Sequence, residues 1–552
     1  MKRLQWCSVL CALALCLTGA ASATEYDGYL VKLNPARALT AAVSRALQPE
    51  LEEVYAPAGL YRVSDAAAVE RLRKSGALLY AEPDYIVTID DTPDLEDEAS
   101  LFDASYESEE RWYEAPLGLE VVRRKGVTGE GVRVGIVDSG IFREHEEFEG
   151  VRILDGANYC VSEASAARGD VSDSVGHGTF VAGLIAAARN GKGIAGLAPD
   201  VELVPLKAFE SRNGAISNIA AAIYDAVDTW HCQVLNLSLG VTQDYATLRD
   251  AVEYAAGQGV LMVAAAGNLS SGGEHREDGD PLNYPAACPQ VIGVGAVSVN
   301  LVAASFSFRN ESVEVCAPGQ NMRGPSTAGI SRYTSGYGTS YAAPLVTAAA
   351  ALALSIHPGM TLDEFRNFLQ QTARDLGPEG YDTAYGNGLL QVGQLCAAAN
   401  PERMASVVTW RNYDGAVLKV VSNVAPGTLP AYDGAPPVRD GYTFDYWKPG
   451  PEAVAGDVEY TAHFTPDAAG ILSAVAEGGA LSVALMTPEN ATLAASYFDE
   501  NGRFLNVCMT PVEANSETAV LPLWDGAQTA RILLFGTDYR PLCAAFDAPL
   551  AP

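Results

Sequence analysis

The stretch VRVGIVDSG, residues 132–140, decides the fold expected for the centre of this 552-residue chain. Its apolar, largely β-branched start is typical of a strand buried on both faces of a parallel sheet. Further runs of this kind cover residues 202–209, 234–238, 260–266 and 291–297. Helical patterns such as 217–229 and 245–256 lie between them, and Ser217 is a candidate N-cap for the first. This alternation predicts an α/β domain over residues 112–398, a parallel sheet with helices on both faces.

The N-terminus has the pattern of a secretory signal peptide. Lys2 and Arg3 precede an apolar run over residues 4–17, and the small residues Ala21-Ser22-Ala23 suit a cleavage site. We therefore expect a signal peptide over residues 1–23 and a secreted, extracellular protein. The alternatives are a membrane anchor, for which the run is short, and a lipoprotein cut before Cys16, for which Leu15 is bulky. No later run is long and uninterrupted enough to predict a transmembrane anchor.

Charge and cysteine content narrow the function classes. The chain has 68 acidic and 36 basic residues, a formal net charge of −32, which argues against binding to nucleic acid or anionic membranes. Three of the ten cysteines lie in the predicted signal peptide, so seven remain and at least one thiol has no partner within the chain. No CxxC motif occurs, so a cysteine metal site is not expected.

The rest of the chain divides into smaller units. Residues 24–90 alternate short strands with helices near 36–47 and 66–75, which predicts a small α+β unit of split-βαβ type. An acidic linker over residues 91–111 follows, since positions 90–110 carry ten acids and no base. Such a linker is an easy place to cut, although it could be a plain spacer. Strand patterns with Gly/Pro turns predict two small β-rich modules, 399–466 and 467–552.

Four polar residues carry the candidate chemistry. Asp138 ends the opening strand, and His177 begins an apolar helix in the motif GHGT, residues 176–179. Ser340 stands at the start of a small-residue helix in GTSYAAP, residues 338–344, and Asn268 ends AAAGN, residues 264–268. Singly, each has an ordinary interpretation as a turn or cap residue. Together they would supply a nucleophile, a base, an orienting carboxylate and an oxyanion donor.

These segments, in this chain order, resemble the subtilase family of subtilisin-like serine proteases. The resemblance covers roughly residues 112–398 and implies a subtilisin-like fold. It also implies that Ser340 attacks the scissile carbonyl, His177 moves the proton and Asp138 fixes the imidazole, with no cofactor required for the chemistry. Asn268 and the Ser340 amide would hold the oxyanion. One departure is Tyr341 after the nucleophile, where many family members have methionine.

The resemblance also implies a substrate cleft for proteins or peptides. One wall would be Ser238, Leu239 and Gly240, the other Ala265, Ala266 and Gly267, with Asn283 near the pocket floor. The loop 273–280 holds four acids that would either favour a basic substrate side chain or form a solvated surface. Glu147 and Asn190 stand where family members often bind structural calcium. Two side chains are too few for a calcium site, so the sequence leaves open whether calcium binds there.

The flanking units have their own resemblances. Residues 24–90 are similar to the subtilase propeptide, which implies that the enzyme's own N-terminal unit is an inhibitory partner until the chain cuts itself between about residues 89 and 111. Residues 408–464 resemble internalin-type β-grasp repeats, with GYTF at 441–444 and Trp447. Such a module suggests attachment to a cell surface or wall. The alternative functions are an inactive, surface-binding protease fold and an adhesin whose C-terminal modules carry the main role.

Overall fold

The computed structural model describes residues 26–34, 51–89, 111–161, 165–270 and 272–550. The chain forms two compact units, divided between Met404 and Ala405. The predicted signal peptide, the predicted helix at 36–47 and all but the last residue of the predicted linker lie outside the described residues.

A small antiparallel sheet with one described helix opens the first unit. The helix, α1, starts after Asp65, whose carboxylate accepts the Ala68 N–H at 2.7 Å. The last strand of this sheet continues onto the large domain by pairing with the edge strand Asn213–Ala215. The elements are β1 (Tyr26–Leu33), β2 (Glu52–Tyr55), β3 (Leu60–Val63), α1 (Ala66–Ser75) and β4 (Leu78–Thr88).

The large domain is built on a seven-stranded sheet in the order β12-β11-β10-β9-β5-β7-β6, and its described pairings are all parallel. The parallel α/β sheet predicted from the apolar runs is therefore present. Strands β9 to β12 are buried along their whole length, as expected for a sheet covered on both faces. The strands are β5 (Arg133–Asp138), β6 (Ala157–Asn158), β7 (Glu202–Lys207), β8 (Asn213–Ala215), β9 (Val234–Leu237), β10 (Leu261–Ala265), β11 (Val291–Val297) and β12 (Val315–Pro318). The hairpin β13 (Met322–Pro325) and β14 (Tyr333–Gly336) precedes the central helix.

Helices cover the two faces of this sheet, and the longest, α6 (Thr339–Ile356), runs through the core. By length and composition α6 could cross a membrane, but 89% of it is buried inside the fold. The predicted capping box at Thr361 and Glu364 is present at the start of α7. The helices are α2 (Leu119–Arg124), α3 (His177–Ala186), α4 (Ile216–Asp228), α5 (Ala246–Gly257), α6 (Thr339–Ile356), α7 (Leu362–Thr372), α8 (Val392–Ala399) and α9 (Pro401–Met404).

The prediction that Ser217 caps α4 is wrong. The helix begins one residue earlier, at Ile216, and no side chain of its own caps it. Instead the Ser217 N–H donates to the carboxylate of Asp84, on β4 of the small N-terminal sheet, at 3.0 Å. An acid distant in sequence thus satisfies the orphan donor that a local serine was expected to satisfy.

The described residues of the second unit, 405–550, form strands joined by turns and loops and contain no helix. Its first sheet has the order β16-β15-β18-β17, with a parallel central pair, and packs Trp410 against Trp447 and Tyr460. Two further sheets, β19-β20-β23 and β22-β21-β24-β25, share one apolar core. The strands are β15 (Ser406–Arg411), β16 (Val417–Val424), β17 (Tyr442–Lys448), β18 (Val458–Pro466), β19 (Gly470–Glu477), β20 (Ala480–Met486), β21 (Ala491–Phe498), β22 (Phe504–Val512), β23 (Thr518–Pro522), β24 (Thr529–Gly536) and β25 (Phe546–Pro549).

Candidate active site

The carboxylate of Asp138 lies at the carboxyl end of β5 and is almost completely buried. Both of its oxygens contact the imidazole of His177, with Nδ1 at 2.8 Å from Oδ1 and 2.9 Å from Oδ2. The Ser139 N–H donates to Oδ1 at 2.7 Å and fixes the carboxylate in this position. The pair predicted from two distant motifs is therefore assembled in the fold.

His177 is the first residue of α3, and an acid that the sequence analysis did not single out holds the start of this helix. Asp173 accepts the N–H groups of Val175, Gly176 and Thr179, each at 2.9 Å, and the Thr179 hydroxyl at 2.7 Å. These donors lie at or just before the first turn, where backbone amides have no helical acceptors. An acid four residues before the histidine that begins an apolar helix was the available signal in the sequence.

Close packing keeps α3 against the strand that carries the acid. A β-carbon on Gly178 would lie 3.0 Å from Asp138 Oδ1 and closer still to the Gly140 carbonyl. The Gly178 N–H donates to the Ser139 hydroxyl at 2.9 Å. Glycine at position 178 therefore allows His177 and Asp138 to meet, which gives the HGT motif a steric reason.

Ser340 is the second residue of α6, and it is buried to 4% exposure. The Tyr341 ring that follows packs on Phe180, with ring centroids 4.2 Å apart, and on His177, with centroids 5.7 Å apart. These contacts bring the N-terminus of α6 beside the start of α3. Ser340, His177 and Asp138, which are up to 202 positions apart in the sequence, are thus gathered at one edge of the sheet.

A buried network links the Ser340 backbone to the sheet. The Ser238 hydroxyl donates to the Ser340 carbonyl at 2.7 Å, and it accepts from the Asn236 amide at 2.8 Å. The Asn236 oxygen accepts from the hydroxyl of Thr347 at 2.9 Å, and Thr347 lies about two turns after Ser340 on α6. Sequence reasoning found Ser238 but missed Asn236 and Thr347, because nothing in their local sequence distinguishes them from other core residues.

Asn268 follows β10 and faces the residue before Ser340. Its side-chain oxygen accepts from the Thr339 N–H at 2.9 Å and from the Thr339 hydroxyl at 3.1 Å. With the oxygen held there, the amide nitrogen lies on the other side of the group, away from Thr339. This fixed orientation suits a donor to an oxyanion forming near Ser340.

The two predicted walls of the cleft lie beside the nucleophile segment. One is Ser238 to Gly240 after β9, and the other is Ala265 to Gly267 at the end of β10. The Gly267 N–H donates to the Thr339 hydroxyl at 3.2 Å. Asn283 is brought to the same place, where its amide donates to the Ala265 carbonyl at 2.9 Å.

The acidic loop 273–280 is partly built around one of its own acids. Asp280 is buried and accepts from His275 Nδ1 and from the N–H groups of Arg276 and Arg309. Burial acts to raise the pKa of Asp280, but these hydrogen bonds outweigh it and lower the pKa below the ordinary 3.8. Glu274, Glu277 and Asp278 are exposed. Asp280 is therefore occupied in holding the loop, and only the other three acids could face a substrate.

The two side chains at the predicted calcium position each accept hydrogen bonds from other groups of the protein. Glu147 is buried, and its Oε1 accepts from the Tyr333 hydroxyl at 2.6 Å and the Ile194 N–H at 2.8 Å. Burial raises the pKa of Glu147 to about 7. Asn190 is exposed, and its oxygen accepts from the Lys192 N–H. No cluster of three or more His, Cys, Asp or Glu suited to a metal occurs in the described ranges. The calcium site stays a prediction, and no step below uses a metal.

The cysteines of the described residues occur in both units and are free thiols. The seven that lie in the described residues include Cys508 and Cys543, which the sequence left open as a bridge between strands. Burial raises the pKa of Cys160, Cys232 and Cys396, each to about 12. Buried thiols of this kind are inert as nucleophiles at neutral pH.

Comparison with known proteins places this geometry in context. Residues 129–388 match the subtilase family. Subtilisin DY of Bacillus licheniformis is 39% identical over 282 residues, which cover 51% of this chain and 96% of that protein. Subtilisin E of Bacillus subtilis is 33% identical over 334 residues, 59% of this chain and 78% of that protein. The minor extracellular protease Epr of Bacillus subtilis is 34% identical over 329 residues, but the match spans only 48% of Epr.

Proposed function

Since this chain belongs to the subtilase family of serine endopeptidases, we propose that it is a secreted peptidase that uses Ser340 as its nucleophile. The observation that carries the proposal is the buried contact between Asp138 and His177 Nδ1, 2.8 Å, beside the start of α6, whose second residue is Ser340. Protein and peptide substrates follow from the family. Secretion is supported by the relative Epr, a minor extracellular protease, and by the signal peptide expected at residues 1–23.

The proton path follows from the Asp138–His177 contact. An ionised carboxylate only accepts hydrogen bonds, so Nδ1 of His177 carries the hydrogen and Nε2 is left as the base. His177 takes the proton of the Ser340 hydroxyl as Oγ attacks the scissile carbonyl, and then gives that proton to the leaving amine. Asp138 stabilises the imidazolium formed in between. Water then hydrolyses the acyl-enzyme by the same proton transfers in reverse order.

The negative charge on the substrate oxygen needs donors that are already in place. The Asn268 amide is one, because its oxygen is held by Thr339. The Ser340 N–H is the other, since it lies in the first turn of α6 and has no acceptor within the helix. The positive end of the helix dipole adds to the stabilisation of this charge.

The small N-terminal unit acts in this proposal as an inhibitor that the enzyme carries until it is cut. Strand β4 pairs with the edge strand β8, and the Ile89 N–H donates to the Arg212 carbonyl at 2.8 Å. Val87 and Ile89 are buried to 1% and 3% exposure in a core cluster shared with the large domain. Adding a strand in this way is how a protease edge binds an extended peptide.

Two acids on the same strand extend this attachment to the surface helices. The Glu82 carboxylate accepts the N–H groups of Ala246 and Thr247 at the start of α5, at 3.0 and 2.7 Å. The Asp84 carboxylate accepts the Ser217 N–H at the start of α4 and pairs with Arg62. Neither helix has a capping side chain of its own, so the N-terminal unit completes both.

The test compares the wild-type chain with Ser340→Ala and with Ser335→Ala, an exposed serine on β14 that serves as the matched control. We expect the wild type and Ser335→Ala to lose the N-terminal unit, to cleave casein and to react with a fluorophosphonate probe. Ser340→Ala should keep the N-terminal unit and remain unlabelled. Equal labelling of Ser340→Ala and the wild type would overturn the assignment of the nucleophile.

The C-terminal modules serve attachment or targeting in this proposal. The second compact unit begins at Ala405, so removal of residues 405–552 leaves the catalytic unit whole. We expect the shortened enzyme to cleave casein at the wild-type rate and to lose retention on the surface of the producing cell. Loss of casein cleavage with unchanged fluorophosphonate labelling would instead favour modules that bind the substrate.

A further inference from the structure

We propose that Asn283 closes the pocket for the P1 side chain, the residue on the acyl side of the cleaved bond, so that the enzyme cleaves after alanine, glycine and serine. The inference rests on the proposed peptidase function and adds the substrate class for the same site. It depends on three relationships: where the pocket opens, what fills it and what holds the filling side chain in place.

The pocket opens directly beside the nucleophile because both of its walls are hydrogen-bonded to the Ser340 segment. The Ser238 hydroxyl binds the Ser340 carbonyl at 2.7 Å, and the Gly267 N–H binds the Thr339 hydroxyl at 3.2 Å. The resemblance to subtilases implies that these segments are the walls of the P1 pocket, so in the proposed function a substrate acylated at Ser340 places its P1 side chain between them.

The Asn283 side chain already occupies that gap. A β-carbon on Gly240 would lie 2.5 Å from the side-chain amide carbon of Asn283, and one on Gly267 would lie 3.1 Å from the same atom. The asparagine is thus in contact with both walls at once. Its exposure is only 5%, so the neighbouring residues enclose it almost completely.

Hydrogen bonds on both sides of Asn283 hold its side chain in this position. Its amide donates to the Ala265 carbonyl at 2.9 Å, within the opposite wall. The next residue, Tyr284, forms a two-bond bridge with Val241, at 2.7 and 2.9 Å, and the Asn283 carbonyl accepts from the Ala287 N–H at 2.8 Å. Displacing the side chain would leave a buried amide and a buried carbonyl without partners, which is costly.

The size of the P1 side chain therefore decides the rate. A methyl or hydroxymethyl group needs little room beyond the pocket mouth, whereas leucine or phenylalanine needs the volume that Asn283 fills. A buried pocket that must rearrange for the larger group loses binding in the transition state as well as in the ground state. A long polar P1 side chain such as lysine or glutamine meets the same obstruction.

The test measures kcat/KM for succinyl-Ala-Ala-Pro-Xaa-p-nitroanilides with Xaa as Ala, Leu, Phe, Gln or Lys. The proteins are the wild type, Asn283→Gly and the matched control Asn300→Gly, an exposed turn residue after β11. Active-site titration with a fluorophosphonate sets each enzyme concentration. We expect the wild type and the control to favour Ala over Leu and Phe at least tenfold. Asn283→Gly should raise the ratio of kcat/KM for Leu and Phe to that for Ala at least tenfold.

The profile of the wild type is informative even if Asn283→Gly fails to fold. A wild-type enzyme that reacts with the fluorophosphonate yet cleaves after Phe, Leu, Gln or Lys faster than after Ala would overturn the inference and leave the proposed function standing. A wild type that neither reacts with the probe nor cleaves any of the substrates would overturn the proposed function itself, and the inference with it.

Discussion

The hydroxyl of Ser238 donates a 2.7 Å hydrogen bond to the carbonyl oxygen of Ser340, so the cleft wall and the nucleophile are joined directly. The same hydroxyl accepts from Asn236, whose oxygen accepts from Thr347 on α6. Ser238, Asn236 and Thr347 are all completely buried. The position of the nucleophile is therefore set by the core of the domain rather than by its own loop.

The Thr347 end of this network can be tested without touching the cleft. Thr347→Val keeps the shape of the side chain but leaves the buried Asn236 oxygen without its donor, so the free energy of unfolding should fall by about 1–3 kcal/mol. Urea unfolding in the Ser340→Ala background, which prevents self-digestion, measures the change. Thr347→Ser, which retains the hydroxyl, should lose less. Equal unfolding midpoints for both variants and the parent would show that the network does not stabilise the fold.

Asn268 should act in the transition state rather than in substrate binding. Asn268→Ala removes one oxyanion donor, so kcat should fall by about 10²–10³-fold with little change in KM. Steady-state hydrolysis of an alanine p-nitroanilide checks this. Asn268→Asp keeps the oxygen that accepts from Thr339 but loses the donor. Its kcat should therefore be at least as low as that of Asn268→Ala, while its melting temperature should be closer to that of the wild type. A decrease in kcat of less than threefold for both variants would exclude the role.

The acidic loop 273–280 should lose stability in acid. The pKa of Asp280 is lowered in the folded state, so the folded protein binds this proton more weakly than the unfolded chain does. Its contribution is present at neutral pH and is lost as pH falls below about 3.8 through the folded pKa. Asp280→Asn should thus lower the free energy of unfolding at pH 7 by about 1–3 kcal/mol and have a smaller effect at pH 3.

The control for this loop is Asp278→Asn, which changes an exposed acid two residues away. It should leave urea unfolding in the Ser340→Ala background unchanged at both pH values. An Asp280→Asn effect of the same size at pH 3 and pH 7 would contradict the role assigned to the charge of Asp280.

Glu82 should hold the N-terminal unit on the peptidase after the linker is cut. Glu82→Ala removes both hydrogen bonds to the start of α5, so the dissociation constant of the cut unit should rise roughly tenfold. Size-exclusion chromatography of the self-processed protein, followed by quantification of the co-eluting N-terminal unit, measures the loss. Glu70→Ala, an exposed acid on α1, is the matched control. Equal retention in the two variants would contradict a capping role for Glu82.

The sequence predicted the parts of the site that are local and left out those that depend on the fold. Asp138, His177 and Ser340 each have an ordinary interpretation alone, and the sequence predicts their roles because their motifs occur together, in the chain order of the subtilase family, with Asn268 between the last two. Asn236 carries no such local pattern, since it gains its role only when β9 and α6 meet. Asp173 acts within its own segment, on the N–H groups of Val175, Gly176 and Thr179, but its role also depends on the helix start that the fold builds there. The Ser217 cap was wrong for the same reason: Asp84, 133 positions away, takes that place.

The position of Asn283 illustrates the same limit in a different way. The sequence placed it near a pocket floor, but whether a floor residue lines a pocket or fills it depends on the direction of one side chain. That direction is set by the Ala265 carbonyl and by the bridge between Tyr284 and Val241. Size selectivity is therefore a tertiary property that a motif cannot supply.

The helix starts completed by Glu82 and Asp84 have a consequence for the order of events in folding. The N–H groups at the starts of α4 and α5 find acceptors in Asp84 and Glu82 of the N-terminal unit, which the ribosome makes first. That unit can template the helices as they emerge and lower the barrier to the native state. If this unit is removed as proposed, both helix starts lose these acceptors, so the shortened enzyme should refold more slowly than the full chain and its lifetime should be limited by its rate of unfolding.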